Sequence, residues 1–210
     1  MKNIHGSFRL VIYFHVPNSR RLYLLMISKV CKWMISALRI GYFKIKYGKR
    51  LILQIDKNAK PIYFGKGIKL RIDKNSYIKI ESGVYLSDFT TLECYSGGSI
   101  ELGISTFINT YSRLIALKSI TLGANCIIGT NVSIYDHDHE YRKDGFIKDQ
   151  GFIINSVNIE KDVWIGTNAV VTQNTHIKEH VIIGANSIVT KNIPSRVVCA
   201  GSPAVIIKNI

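Results

Sequence analysis

At 210 residues, 47% of them hydrophobic, the chain suits one domain with an appendage and can bury a sizeable core. Its four cysteines, Cys31, Cys94, Cys126 and Cys199, form no CxxC pair, which argues against a zinc knuckle or a disulfide framework and for a reducing compartment. The formal net charge of +14 sits largely at one end: residues 1–50 hold eleven Lys/Arg and no acid, whereas the remaining 160 carry 17 basic and 14 acidic side chains.

The N-terminus lacks the pattern of a secretory signal, and no apolar run is long enough to span a bilayer. Residues 1–20 are mixed in character, with Pro17-Asn18-Ser19 marking a break. Residues 21–43 then predict a helix with a broad apolar surface (Leu22, Leu25, Met26, Val30, Met34 and Leu38 among them) and a narrow polar stripe of Lys29, Lys32, Ser36 and Arg39. Two readings stay open for this basic arm, residues 1–50. It lies in a membrane interface with Lys/Arg toward anionic headgroups, or it packs on the main domain or a partner subunit. The first places the protein in the cytoplasm, peripheral at the inner face of the membrane. Nucleic acid fits less well, because the apolar face exceeds what a groove-reading helix needs.

From Leu51 the pattern changes to short aliphatic alternation (Leu51, Leu53, Ile55; Ile68, Leu70, Ile72; Ile78, Ile80), which reads as strands. Ser99-Ile-Glu-Leu-Gly and Ser119-Ile-Thr-Leu-Gly open successive units, and Ser156-Val-Asn-Ile-Glu opens a later one. Residues 159–194 then fall into sixes. Position one is Ile159, Ile165, Val171, Ile177, Ile183 and Val189, and position five is Val163, Ala169, Thr175, Val181, Ser187 and Ile193. A coil with three flat sides explains that period, each side turning aliphatic side chains inward before a corner. Asn168, Asn174, Asn186 and Asn192 precede position five, where a tight corner wants the left-handed backbone that Asn tolerates. Cys126 occupies a position-five slot and reads as core. The expected layout is a parallel β-helix over residues 51–194 and a tail over 195–210.

One segment, residues 139–155, does not fit the sixes and reads as a loop, a common place for function on a repeat scaffold. Just before it stands Ile134-Tyr-Asp-His-Asp-His139. On a coil side, Ile134, Asp136 and Asp138 would point one way and Tyr135, His137 and His139 the other. Two imidazoles on one face beside carboxylates suit general-base chemistry, and equally a pair of solvated surface histidines.

Val163-Trp-Ile-Gly-Thr-Asn-Ala-Val-Val, Ile182-Ile-Gly-Ala-Asn-Ser-Ile-Val-Thr-Lys-Asn-Ile-Pro and Ala200-Gly-Ser-Pro-Ala-Val-Ile-Ile-Lys resemble the C-terminal half of the hexapeptide-repeat acyltransferases. The branch they resemble is that of the galactoside, maltose, nodulation-factor and polysaccharide O-acetyltransferases. The resemblance covers about residues 76–210. It implies a mainly β fold, a left-handed parallel β-helix whose hand periodicity cannot reveal, and a homotrimer with acetyl-coenzyme A in a cleft between subunits. It puts the catalytic histidine at His139, with His137 one alternation earlier. It puts coenzyme contacts at Thr167, Ala185, Thr190 and Lys191, and an acceptor contact near Asn109. Two departures stand out: Glu140 follows His139 where the sugar acetyltransferases often carry Pro, and no basic residue stands near Val205, where Lys208 is the nearest substitute. Thr167, Ala185 and Thr190 also satisfy the repeat's own demand for small residues, and Trp164 has a bland reading as a cap on the coil.

The function this implies is acetyl-coenzyme A-dependent O-acetylation of a sugar hydroxyl, on a surface polysaccharide or its lipid-linked precursor, with His139 as base and no metal. Three rivals remain: an acetyltransferase for serine or another small molecule, an inactive scaffold, and a zinc enzyme like the γ-class carbonic anhydrases. The last would need a third ligand beside His137 and His139, and His176 and His180 lie far along the chain.

Overall fold

The computed structural model describes the backbone of residues 18–210, with side chains from residue 26 onward, so the break expected at Pro17 lies outside the described residues. From Leu51 the chain winds through six coils, each laying one strand on each of three parallel sheets. Residues 51–54, 77–81, 99–102, 119–122, 157–159 and 175–177 stack on the first side. Residues 63–64, 85–86, 107–108, 127–128, 164–165 and 182–183 stack on the second, and residues 69–72, 91–94, 113–116, 133–135, 170–171 and 188–189 on the third.

In-register pairing places like residues above one another. On the first side Leu51, Ile78, Ile100, Ile120, Val157 and Thr175 form one row. On the second, Phe64, Leu86, Ile108, Ile128, Ile165 and Ile183 form another. Both are buried, as is every position-one and position-five residue of the sixes. Because side chains alternate across a strand, these inward rows fill the prism and their neighbours face out. Cys126 is buried among them.

The corners carry the strain. Asn168, Asn174 and Asn186 adopt positive φ as anticipated, and Asn125, Asn131, Asp162 and His180 do the same at equivalent places. Asn192 does not: its Oδ1 instead accepts the His176 N–H (2.8 Å), and the later turn at Arg196 takes the left-handed conformation. Between the second and third sides the asparagines form a ladder, Asn131 Nδ2 donating to Asn168 Oδ1 (3.0 Å) and Asn168 Nδ2 to Asn186 Oδ1 (3.2 Å).

The helix, α1 (Asn18–Tyr47), is longer than the span predicted and ends at Gly48, whose φ of +56° suits a helix stop. A boundary between two compact units falls within it, between Ile35 and Ser36. Beyond that boundary, α1 covers the open end of the stack. The first coil turns the backbone groups of Phe64, Leu70 and Ile72 away from the second coil, leaving them without a strand to pair with. Ser36 Oγ accepts the Phe64 N–H (2.7 Å), and Arg39 donates to the Phe64 carbonyl (3.2 Å). Tyr47 donates to the Leu70 carbonyl, Arg50 to that of Ile72 (2.6 Å), and Lys44 to that of Leu51 (2.6 Å). Ile40, Phe43 and Tyr47 pack on the core from the same face. Two members of the polar stripe, Ser36 and Arg39, are thus turned onto the protein and not toward solvent.

After the sixth coil, Val197–Gly201 continues the second side in parallel, and Ala204–Asn209 folds back antiparallel against it. The tail therefore extends the stack by one strand before turning back.

Thr175 is the polar exception in an aliphatic row: it is 1% exposed and its Oγ1 finds no partner among the described residues. Replacing it with the near-isosteric Val, the residue that stands at Val163 and Val181, removes a buried unsatisfied hydroxyl. Thr175→Val is expected to raise stability by about 1 kcal/mol, read as a higher urea midpoint with unchanged slope.

Candidate active site

The sheet hydrogen bonding explains where the chain can leave the stack. At the corner between the third and first sides, the Tyr95 N–H of the second coil donates to the Ala116 carbonyl of the third (2.9 Å). The equivalent donor one coil on is Leu117, and there the fourth coil departs. Asp136 fills the gap with its side chain: it accepts the N–H groups of Leu117 (2.8 Å) and Lys118 (2.6 Å). Asp136 continues the inward row of Ile72, Cys94 and Ala116 and is fully buried. A buried carboxylate is tolerated only when its oxygens are satisfied, and these two amides do most of that. The remaining contact is His137 Nδ1, 3.0 Å from Asp136 Oδ1.

Asp136 and His137 therefore form a carboxylate–imidazole pair at the root of the excursion. With Nδ1 engaged by the carboxylate, Nε2 is the nitrogen left to exchange a proton with a ligand. The half-buried ring is flanked edge-on by Tyr135 (6.1 Å between centroids) and by Phe152 (5.6 Å).

The excursion is a β-hairpin. His137–His139 pairs antiparallel with Phe152–Ile154, and the two ends are joined by a tip containing a short 3-10 turn, Ile147–Asp149. Gln150 ties the tip together through the Lys143 N–H and carbonyl (3.0 and 2.8 Å). Glu140 has a turn-forming role: its carboxylate accepts the N–H groups of Tyr141 (2.9 Å) and Arg142 (3.0 Å), which hold it below the usual carboxylate range. His139 is exposed, its ring lies against that of Phe152 (4.8 Å), and its imidazole makes no hydrogen bond or ion pair among the described residues. The expected alternation holds through Asp136, which points inward with Ile134, and lapses at Asp138, which is exposed on the hairpin.

The other candidate residues divide between two corners. Thr190 and Lys191 lie at the same third-to-first corner as His137, two coils further along the stack. Thr167 and Ala185 lie one above the other at the second-to-third corner, with Asn109 at that corner two coils before Thr167. Thr167, Ala185, Thr190 and Lys191 are exposed, and Asn109 is half-buried with its Oδ1 engaged by the Thr110 N–H (2.8 Å). Gly129 and Gly166 set the close approach there: a Cβ on either would sit 2.7 Å from the Thr167 nitrogen or 2.5 Å from the Ala185 nitrogen.

Two features of the site had weak sequence signals. Phe152 is distant in sequence from the histidines it touches, and only the alternation of Phe152 and Ile154 hints at a returning strand. Asp136 was visible merely as one of two neighbouring carboxylates. His176 and His180 lie elsewhere on the stack, engaged by Glu160 (2.7 Å) and Asp162 (2.6 Å), and no three His, Cys, Asp or Glu side chains gather as a metal site among the described residues. Trp164 lies on the outer face of the second side, between Ile127 and Ile182, and is exposed.

Burial raises the thiols of Cys126 and Cys199 and pushes that of Cys94 up to about 12, whereas Cys31 is exposed on α1. A thiol-specific reagent at pH 8 should therefore titrate one cysteine of the native protein quickly and all four after denaturation. Asp136→Asn sets an NH2 group where backbone donors now point, and is expected to destabilise the fold by about 2 kcal/mol in urea unfolding.

Comparison with known proteins follows the same residues. The model described as bacterial transferase hexapeptide (six repeats) matches residues 156–191, and that of the hexapeptide repeat of succinyl-transferase matches residues 114–136. WbbJ of Escherichia coli (strain K12), assigned by name to O-acetyl transfer in lipopolysaccharide biosynthesis, is 33% identical over 177 residues, covering 80% of this chain and 88% of WbbJ. A hexapeptide-repeat acetyltransferase of Vibrio cholerae O1 biovar eltor, solved with acetyl-coenzyme A, is 27% identical with a TM-score of 0.55, covering 69% of this chain and 71% of its own. The maltose O-acetyltransferase of Clostridium difficile 630 is 28% identical with a TM-score of 0.50, covering 70% and 68%. AntD of Bacillus cereus, an N-acyltransferase, shares the fold at a TM-score of 0.67 and 20% identity, covering 80% and 88%. The three-sided coil is thus a left-handed parallel β-helix, and the chain belongs to the hexapeptide-repeat acetyltransferases.

Proposed function

We propose that the protein transfers an acetyl group from acetyl-coenzyme A to a sugar hydroxyl, with His137 as the general base. The observation that carries this assignment is the Asp136–His137 pair where the coil gives way to the hairpin, in a chain of this family. His139 was the first expectation from the family pattern. The burial of Asp136 and its bond to Nδ1 favour His137, because an imidazole held by a carboxylate keeps its tautomer and orientation while it accepts a proton. His139, exposed on the hairpin, is assigned to the acceptor side of the site.

In the reaction the acceptor hydroxyl gives its proton to His137 Nε2 as its oxygen attacks the thioester carbonyl. The C–S bond then breaks, and His137 returns the proton to the leaving sulfur. Acetyl-coenzyme A supplies the activated acyl group. Direct transfer suits the thiols, since Cys94, Cys126 and Cys199 are buried and burial raises all three above the usual thiol range. Thr190 and Lys191 would follow the donor along the His137 corner, two strand spacings or about 10 Å away. Thr167, Ala185 and Asn109 lie at the other edge of the third side. In a trimer, that edge of one protomer would face the His137 corner of the next and complete the groove. The maltose and galactoside acetyltransferases among the solved relatives, and WbbJ by its name, support a carbohydrate acceptor, with a surface polysaccharide or its precursor as the specific reading.

Acetyl transfer to a panel of sugars and oligosaccharides tests the proposal. His137→Asn is expected to lower kcat by about 100- to 10,000-fold with little change in coenzyme affinity, and His139→Ala by less than about tenfold. Full turnover by the His137→Asn protein would remove that residue from the chemistry.

A further inference from the structure

The helix does something unusual with its two faces. A helix that caps a domain normally presents apolar residues to the core and polar ones to water. Beyond Ser36, α1 turns Ser36 and Arg39 onto the open edge of the first coil together with Ile40, Phe43 and Tyr47. That choice leaves Leu38 (74% exposed), Tyr42 (59%) and Ile45 (88%) facing outward. Their helical spacing of three to four residues makes them one stripe. Lys46 and Lys49 flank it and are exposed.

We infer that the outward face of α1 beyond Ile35, the stripe of Leu38, Tyr42 and Ile45, docks on an anionic lipid surface. The apolar stripe needs a partner that removes it from water, and the charge of the segment selects among partners. Residues 1–55 carry eleven Lys/Arg and no acidic side chain. A second copy laid against this stripe would bring the same cations into opposition, whereas a bilayer of anionic lipids offers an apolar interior beneath a negative surface. Tyr42 suits the interface, its ring apolar and its hydroxyl wet. No helix of the described residues is long and apolar enough to cross a membrane, so the contact is a helix lying on the surface. This inference stands apart from the catalytic assignment.

The test is co-sedimentation of the full chain with vesicles of phosphatidylcholine alone and of phosphatidylcholine mixed with phosphatidylglycerol. Binding to the anionic vesicles should be stronger by about tenfold or more and should fall as salt is raised. The triple change Leu38→Asp, Tyr42→Asp, Ile45→Asp should lower that binding by about tenfold. It should leave acetyl transfer to a soluble acceptor unchanged, which also reports an intact fold. Lys46→Glu with Lys49→Glu is the second variant, conservative for folding, and should weaken anionic binding alone. Equal partition onto neutral vesicles, absence of binding to either, or undiminished binding by the variants would overturn the inference. So would a wild-type assembly that the triple change splits into smaller particles, since the stripe would then be a contact between copies.

Discussion

The spacing of the coils governs this molecule. Every strand is short, some only two residues long, and stands because its N–H and C=O groups pair with the strands before and after it in the stack. That arrangement has two weak points: a coil at the end, where one row of backbone groups has no neighbour, and a place where the chain leaves the stack. The structure resolves both with side chains that imitate the missing strand. At the end, Ser36, Arg39, Tyr47 and Arg50 serve the backbone of Phe64, Leu70 and Ile72. At the departure, the Asp136 carboxylate receives the amides of Leu117 and Lys118.

Chemistry follows from the second solution. A carboxylate buried to complete a hydrogen-bond pattern is held in place by two backbone donors, and its next neighbour in the chain is a histidine. The fold's need for an acceptor at that corner therefore delivers an oriented imidazole at the edge of a hairpin. The aromatic rings of Tyr135 and Phe152 restrict how that imidazole can turn. Structure and proposed catalysis depend on the same oxygen atoms, so the hydrogen bonds that complete the backbone pairing also hold the proposed base in place.

The first solution has its own consequence. Using the polar stripe of α1 to satisfy the open coil leaves Leu38, Tyr42 and Ile45 facing outward, in the most basic part of the chain. A capping helix of ordinary amphipathic design would have kept these residues inside and left Phe64 unpaired. The backbone demand wins because an orphaned buried N–H or C=O costs more than an exposed apolar side chain.

Much of this architecture was legible in the residues. A six-residue aliphatic period fixes which side chains fill the interior, since each row repeats once per coil, and it placed Cys126, Val163 and Ala169 correctly in the core. Asparagines before position five marked three of the left-handed corners, at Asn168, Asn174 and Asn186, whereas others are taken by residues such as Phe89, Ser105, Tyr111 and His180 that carry no such signal. Asn192 broke the rule, since a neighbouring N–H claimed its side chain instead. Local pattern also set the histidines beside carboxylates, but could not choose between His137 and His139. The proposal of His137 rests on the corner of the preceding coil, nineteen residues before Asp136, where Leu117 lacks a strand partner. Nor could it show which way α1 turns, since a stripe of Ser36 and Arg39 reads as solvent-facing until a row of unpaired carbonyls and amides appears beside it. The sequence by itself determined the repeat, its inward rows and its interruption, because those are short-range and periodic. Only the tertiary structure decided which polar groups complete the backbone pairing, because each meets a partner supplied by another turn of the chain.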